Sequence, residues 1–96
     1  MKVRLTNEEV KKIKELVETF DSEAEIFVFG SRADLNRKGG DLDLLILSDK
    51  IGWRERRAIR VGLIETLGDR KIDLIVRGKR SNEPIVRLAR EEGVRI

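Results

Sequence analysis

Phe29-Gly30-Ser31-Arg32, with Gly40-Asp41-Leu42-Asp43-Leu44-Leu45 following shortly after, is the stretch on which the reading of this chain turns. It closes one apolar run with a glycine–serine turn and opens the next with two carboxylates. Ala24 to Phe29 is short, apolar and partly β-branched, which predicts a strand ending at Gly30. Asp41 to Leu47 predicts a second strand. Between them, Ser31 to Gly40 is polar and contains Asn36, Gly39 and Gly40, the composition of a turn-rich connection. Side chains two apart on a strand share a face, about 6.5 Å from each other. Asp41 and Asp43 therefore point together, and Leu42, Leu44 and Ile46 point the other way.

Working outward, Thr6-Asn7-Glu8-Glu9 has the capping-box pattern, with Thr6 as N-cap. Behind it Val10, Ile13, Leu16, Val17 and Phe20 recur at helical spacing. Trp53 to Leu67 predicts a second helix, with Ile59, Leu63 and Leu67 on one stripe and Gly68 as its stop. Lys71-Ile72-Asp73-Leu74-Ile75-Val76 holds a third strand from Ile72 to Val76. Ser81 and Asn82 ahead of Glu83-Pro84 mark a third helix start, since proline suits the first turn. That helix ends near Gly93 and leaves Val94-Arg95-Ile96 as a candidate edge strand. The order α-β-β-α-β-α, with a final short strand, predicts an α/β (α+β) fold: a small mixed sheet with helices packed against it.

The 96 residues are expected to form one domain, 1–96. A 40% hydrophobic share suffices for one core, and 21 basic against 18 acidic residues give a net charge of +3. That balance suits polyphosphate or nucleic acid without requiring either. The chain has no cysteine and hence no disulfide framework. No leader-like opening and no run of membrane-spanning length is visible, so a cytoplasmic protein is expected.

Asp73 adds a third acid within an apolar run. The chain also lacks histidine, so a cation held here would be a hard, oxygen-loving one such as magnesium. Like charges as close as Asp41 and Asp43 repel unless a cation neutralises them. Two or three convergent carboxylates can hold a pair of metal ions that serve phosphoryl transfer. The alternative is structural: Asp41 caps a strand entry, Asp43 pairs with a surface arginine, and Asp73 is an edge charge. Gly30 gives a backbone free of Cβ where a phosphate must come close. Ser31 adds a hydroxyl donor and Arg32 a positive charge, although alone the three make a strand-ending turn. There is neither a Walker loop nor a dinucleotide-binding fingerprint. Arg54, Arg56, Arg57 and Arg60 read as a solvated helix face. Trp53 reads as core or interface, and the sign-alternating Arg87–Arg95 tail as pairing along a helix surface.

In this order and spacing, the motifs resemble the nucleotidyltransferase superfamily that includes DNA polymerase β and kanamycin nucleotidyltransferase. The resemblance is nearest to its minimal members, the MNT proteins found beside HEPN-domain partners in toxin–antitoxin pairs. It rests on Phe29-Gly30-Ser31-Arg32, Gly40-Asp41-Leu42-Asp43-Leu44-Leu45 and Ile72-Asp73-Leu74-Ile75, about half the chain. It implies that Asp41, Asp43 and Asp73 are catalytic and ligate magnesium, two ions in all, and that Asp73 helps activate the acceptor hydroxyl. It further implies that Gly30 and Ser31, with Arg32 beside them, bind the nucleoside triphosphate. The implied reaction moves a nucleoside monophosphate, AMP from ATP, to an acceptor hydroxyl and releases pyrophosphate. In MNT–HEPN pairs the acceptor is a tyrosine of the toxin. The chain departs from the pattern in its short Ser31–Asp41 loop and in Gly40, where relatives often carry serine or threonine.

Two rival functions stand beside this one. One is an antitoxin that neutralises its partner by contact alone. The other, less favoured, is a nucleic-acid-binding module with structural acids. A triphosphate and a HEPN-domain protein are the expected partners, self-association is left open, and no membrane contact is expected.

Overall fold

The computed structural model describes residues 5–29, 42–68 and 71–96. Its elements run α1 (Asn7–Phe20), β1 (Glu25–Phe29), β2 (Leu42–Leu47), α2 (Trp53–Leu67), β3 (Ile72–Arg77), α3 (Pro84–Glu92) and β4 (Val94–Arg95). The four strands make one mixed sheet in the order β3-β2-β1-β4. β1 is antiparallel to both β2 and β4, whereas β2 and β3 are parallel and joined through α2. The α/β (α+β) fold expected from the sequence is the one observed.

Strand alternation divides the apolar side chains into two layers. Leu42, Leu44 and Ile46 of β2 join Ile26, Val28, Ile72 and Leu74 in a layer with Ile13 and Val17 of α1 and Ile59, Leu63 and Leu67 of α2. The opposite face carries Phe27, Phe29, Leu45 and Leu47 beneath Val86 and Ala89 of α3. α1 and α2 thus cover one side of the sheet and α3 the other. β2 is buried on both faces, which is why Leu42 to Leu47 is apolar in sequence apart from Asp43.

Local signals set the helix ends. Thr6 and Glu9 form the full capping box: Glu9 N–H donates to Thr6 Oγ1 at 3.0 Å and Thr6 N–H to Glu9 Oε1 at 2.9 Å. α2 begins with half of such a box, Gly52 N–H donating to Glu55 Oε1 at 2.7 Å. It stops at Gly68, whose φ of 81° lies in the left-handed region that glycine adopts freely. Pro84 opens α3. The charged tail pairs across elements rather than along its helix, since Arg90 and Arg95 both approach Glu25 of β1, at 3.5 and 3.9 Å.

One buried polar knot was not foreseen. Asp21, just past α1, accepts from Ser48 Oγ at 2.6 Å and from Glu23 N–H at 3.0 Å. Ser48 Oγ accepts in turn from the N–H groups of Lys50 and Ile51. Both side chains are buried, and their bonds tie the α1–β1 turn to the β2–α2 turn. The Ser48 hydroxyl holds the Asp21 carboxyl below its usual range, with help from Glu23 N–H and the charges of Lys50 and Lys79, against the opposing effect of burial. A depressed folded-state pKa contributes stability that is fully present above the unfolded value. That stability is lost as pH falls through the lower, folded value. Asp21→Asn should therefore lower the unfolding free energy at pH 7 by about 1–3 kcal/mol, for a damaged buried hydrogen bond, and bring the urea midpoint down with it. The loss should shrink below pH 4, which urea titrations at pH 7 and pH 3 will resolve.

Candidate active site

The parallel register of β2 and β3 sets Asp43 directly against Asp73. Residues in register on parallel strands project to the same face, and neighbouring strands lie about 4.8 Å apart. The face is that of Leu45, Leu47 and Ile75, the one covered by α3. On the other side of β2, Asp43 is in register with Phe29, the last residue of β1. The two acids thus stand at the beginnings of β2 and β3, where β1 ends. Asp43 is half-buried and Asp73 exposed, so the pair opens to solvent. The Asp21–Ser48 knot sits beyond the far end of β2, about 16 Å along the strand from Asp43.

Among the other sequence-selected residues, Gly30, Ser31, Arg32 and Asp41 lie outside the described residues. So do the loop from Ser31 to Gly40 and the proposed entry of β2 at Asp41. No cluster of three or more metal-binding side chains forms among the described residues. Asp43 and Asp73 make a pair, with two carboxylates as oxygen donors. Such a donor set suits a hard divalent cation, and the chain has no histidine or cysteine to favour a softer one.

The arginine stretch needs correction. Arg54, Arg57 and Arg60 are exposed, as the solvated-face reading expects, and Arg56 is half-buried. Arg56 and Arg60 also reach the outer side of β3. Arg56 donates to the Leu74 carbonyl through Nε at 3.3 Å and Nη2 at 3.0 Å, and Arg60 Nη1 donates to the Ile72 carbonyl at 2.8 Å. Sequence reasoning missed this because nothing in helical periodicity says which strand edge a long side chain will meet. Trp53 is not core either: it is 65% exposed, with the Arg54 guanidinium 5.4 Å from its ring centre.

The profile of the nucleotidyltransferase domain family matches residues 10–96, from the first turn of α1 to the last residue. The chain belongs to that family. Membership accounts for the mixed sheet with its helices, and it brings the family's general chemistry, transfer of a nucleotidyl group from a nucleotide substrate. No curated protein matches this nucleotidyltransferase domain. Among its described residues, no helix is long and apolar enough to cross a membrane.

Proposed function

We propose that residues 1–96 act as one minimal nucleotidyltransferase domain of the MNT type, using magnesium and ATP to adenylylate a hydroxyl on a partner protein. The observation that carries this reading is the in-register pair Asp43 and Asp73, on one sheet face at the beginnings of β2 and β3, in a chain of this family. Asp43 and Asp73, together with Asp41, would hold magnesium; when bound, it neutralises phosphate charge in the transition state. Gly30 and Ser31 would receive the terminal phosphates, with Arg32 adding positive charge. Asp73, the more exposed of the described pair, would take the proton of the acceptor hydroxyl. The hydroxyl oxygen then bonds to the α-phosphorus, the bond from that phosphorus to the pyrophosphate oxygen breaks, and pyrophosphate leaves. What the protein contributes is orientation and charge placement.

The acceptor in this reading is the HEPN-domain toxin of an MNT–HEPN pair, and the domain is its antitoxin. A second reading, neutralisation by contact alone, is favoured by one feature of α2. Trp53, Val61 and Ile64 are 65, 55 and 43% exposed, and their spacing puts them on one stripe. Arg57 lies within the stripe and Arg54 at its edge, so it suits a partner surface that is apolar and acidic.

The two readings separate in one experiment. A HEPN-like reading frame beside the gene would be co-expressed, and [α-³²P]ATP with magnesium supplied to the purified pair. Transfer of label to the partner, lost in Asp41→Ala plus Asp43→Ala together with neutralisation while binding persists, is the expected result. Full neutralisation by the double variant would overturn the enzymatic reading in favour of contact alone. Label from [γ-³²P]ATP would indicate phosphoryl rather than nucleotidyl transfer.

A further inference from the structure

β3 is the outer strand of the described sheet. The Lys71 carbonyl accepts from Leu42 N–H and the Arg77 carbonyl from Ser48 N–H, so odd-numbered residues direct their backbone groups toward β2. By alternation, Ile72, Leu74 and Val76 direct theirs outward, where an outer strand has no ladder. Those outward carbonyls are met by arginines. Arg60 takes Ile72, Arg56 takes Leu74, and Arg77 Nη1 donates to Val76 at 2.9 Å.

The first two bonds bracket Asp73. Its own backbone faces β2, while the carbonyls of the residues just before and just after it are held from the opposite side. The fit follows from element geometry. Arg56 and Arg60 are four apart, which is about 6 Å along a helix. Carbonyls two residues apart on a strand are separated by about 6.6 Å. The higher-numbered arginine takes the lower-numbered carbonyl, so α2 runs antiparallel to β3 and its arginines meet successive outward carbonyls. Arg56 bonds one oxygen through two nitrogens, a fork that lysine cannot reproduce.

We propose that Arg56 and Arg60 are positioning residues for Asp73. They form a guanidinium clamp that fixes the open-edge strand on both sides of one member of the acid pair. The clamp rests on the reading of Asp43 and Asp73 as a cation site. Groups that orient a ligand from behind typically change metal affinity or activity about 10- to 100-fold when removed.

The test uses the whole chain and Mn²⁺ as the probe, its affinity measured by electron paramagnetic resonance, with kcat and KM for nucleotidyl transfer measured in parallel. In Arg56→Gln plus Arg60→Gln, Mn²⁺ affinity should fall about 10- to 100-fold and kcat should fall with it. KM for the nucleotide should stay within about twofold, since neither arginine is placed at the triphosphate. Arg56→Lys and Arg60→Lys, which retain a single donor nitrogen each, should lie between wild type and the glutamine variants and keep the test open if the double variant does not fold. Leu67→Ala, which loosens α2 through the core without touching β3's carbonyls, is the control and should leave Mn²⁺ affinity within about twofold. Wild-type affinity and kcat in the glutamine variants, or in both lysine variants if the former do not fold, would overturn the clamp while Asp43→Asn still weakens Mn²⁺. If Asp43→Asn has no effect on Mn²⁺ either, the cation site fails and the clamp with it.

Discussion

Asp73→Asn is expected to reduce nucleotidyl transfer about a thousandfold or more while leaving the fold as stable as before. The size follows from its place in the proposed chemistry. Asparagine keeps the shape of the side chain but removes both the negative charge and the proton acceptor. The harmless effect on the fold follows from its surroundings. Asp73 is exposed, so the amide costs no buried bond. It is also in register with another carboxylate, and like charges opposite each other on neighbouring strands are unfavourable by roughly 0.2–1 kcal/mol. Melting should therefore stay level or rise by a few degrees, at about 4–8 °C per kcal/mol for a domain of this size. Transfer of [α-³²P]AMP and a calorimetric melt read the two halves together. Transfer within tenfold of wild type would remove Asp73 from the reaction. A large fall in melting temperature would give it a structural role instead.

Leu44→Ala is the largest stability loss expected from one substitution. Leu44 is fully buried at the middle of β2, in the layer shared by α1 and α2. Removing a buried leucine side chain costs about 2–5 kcal/mol, the upper part applying where surroundings cannot collapse into the space. β2 is paired on both edges and covered on both faces, so there is little room for collapse. Against about 5–14 kcal/mol of total stability for 96 residues, this is a large fraction. Urea unfolding at pH 7 should show it, with a fall of about 10–30 °C in melting temperature alongside. Val61→Ala on the exposed side of α2 should change stability by less than about 0.5 kcal/mol. A Leu44→Ala loss below about 1 kcal/mol would mean that α1 or α2 moves in to fill the gap.

The elements were legible because their signals are local. Thr6 with Glu9, Gly68, Pro84 and Gly93 mark helix ends through hydrogen bonds and backbone freedom that act within a few residues. The period-two pattern around Leu42, Leu44 and Ile46 correctly gave the face they share. Asp73 was grouped with Asp41 and Asp43 as a third acid within an apolar run, whereas its register against Asp43 is a product of the β2–α2–β3 connection. Asp21 with Ser48 was not anticipated, because a short acid and a serine 27 positions apart carry no mutual signal in sequence. The bonds of Arg56 and Arg60 to β3 were not anticipated, because a helix stripe distinguishes inside from outside and does not name the edge beside it. Trp53 was placed by its apolar bulk, yet it lies at the first turn of α2 on the side away from the core. Gly30, Ser31, Arg32 and Asp41 stand on the sequence alone.

The parallel pairing of β2 with β3 also governs when the acids meet during folding. Asp43 and Asp73 are joined by a crossover through a whole helix, so their contact is non-local and its loop-closure entropy must be met before pairing rewards it. In the unfolded chain the two carboxylates are far apart and make no site. Any ion that needs both binds the native state alone, and it will raise the melting temperature in proportion to the logarithm of its concentration once above its dissociation constant. A thermal melt against divalent concentration thus reads the joining of the two strands directly, with no need to know the acceptor.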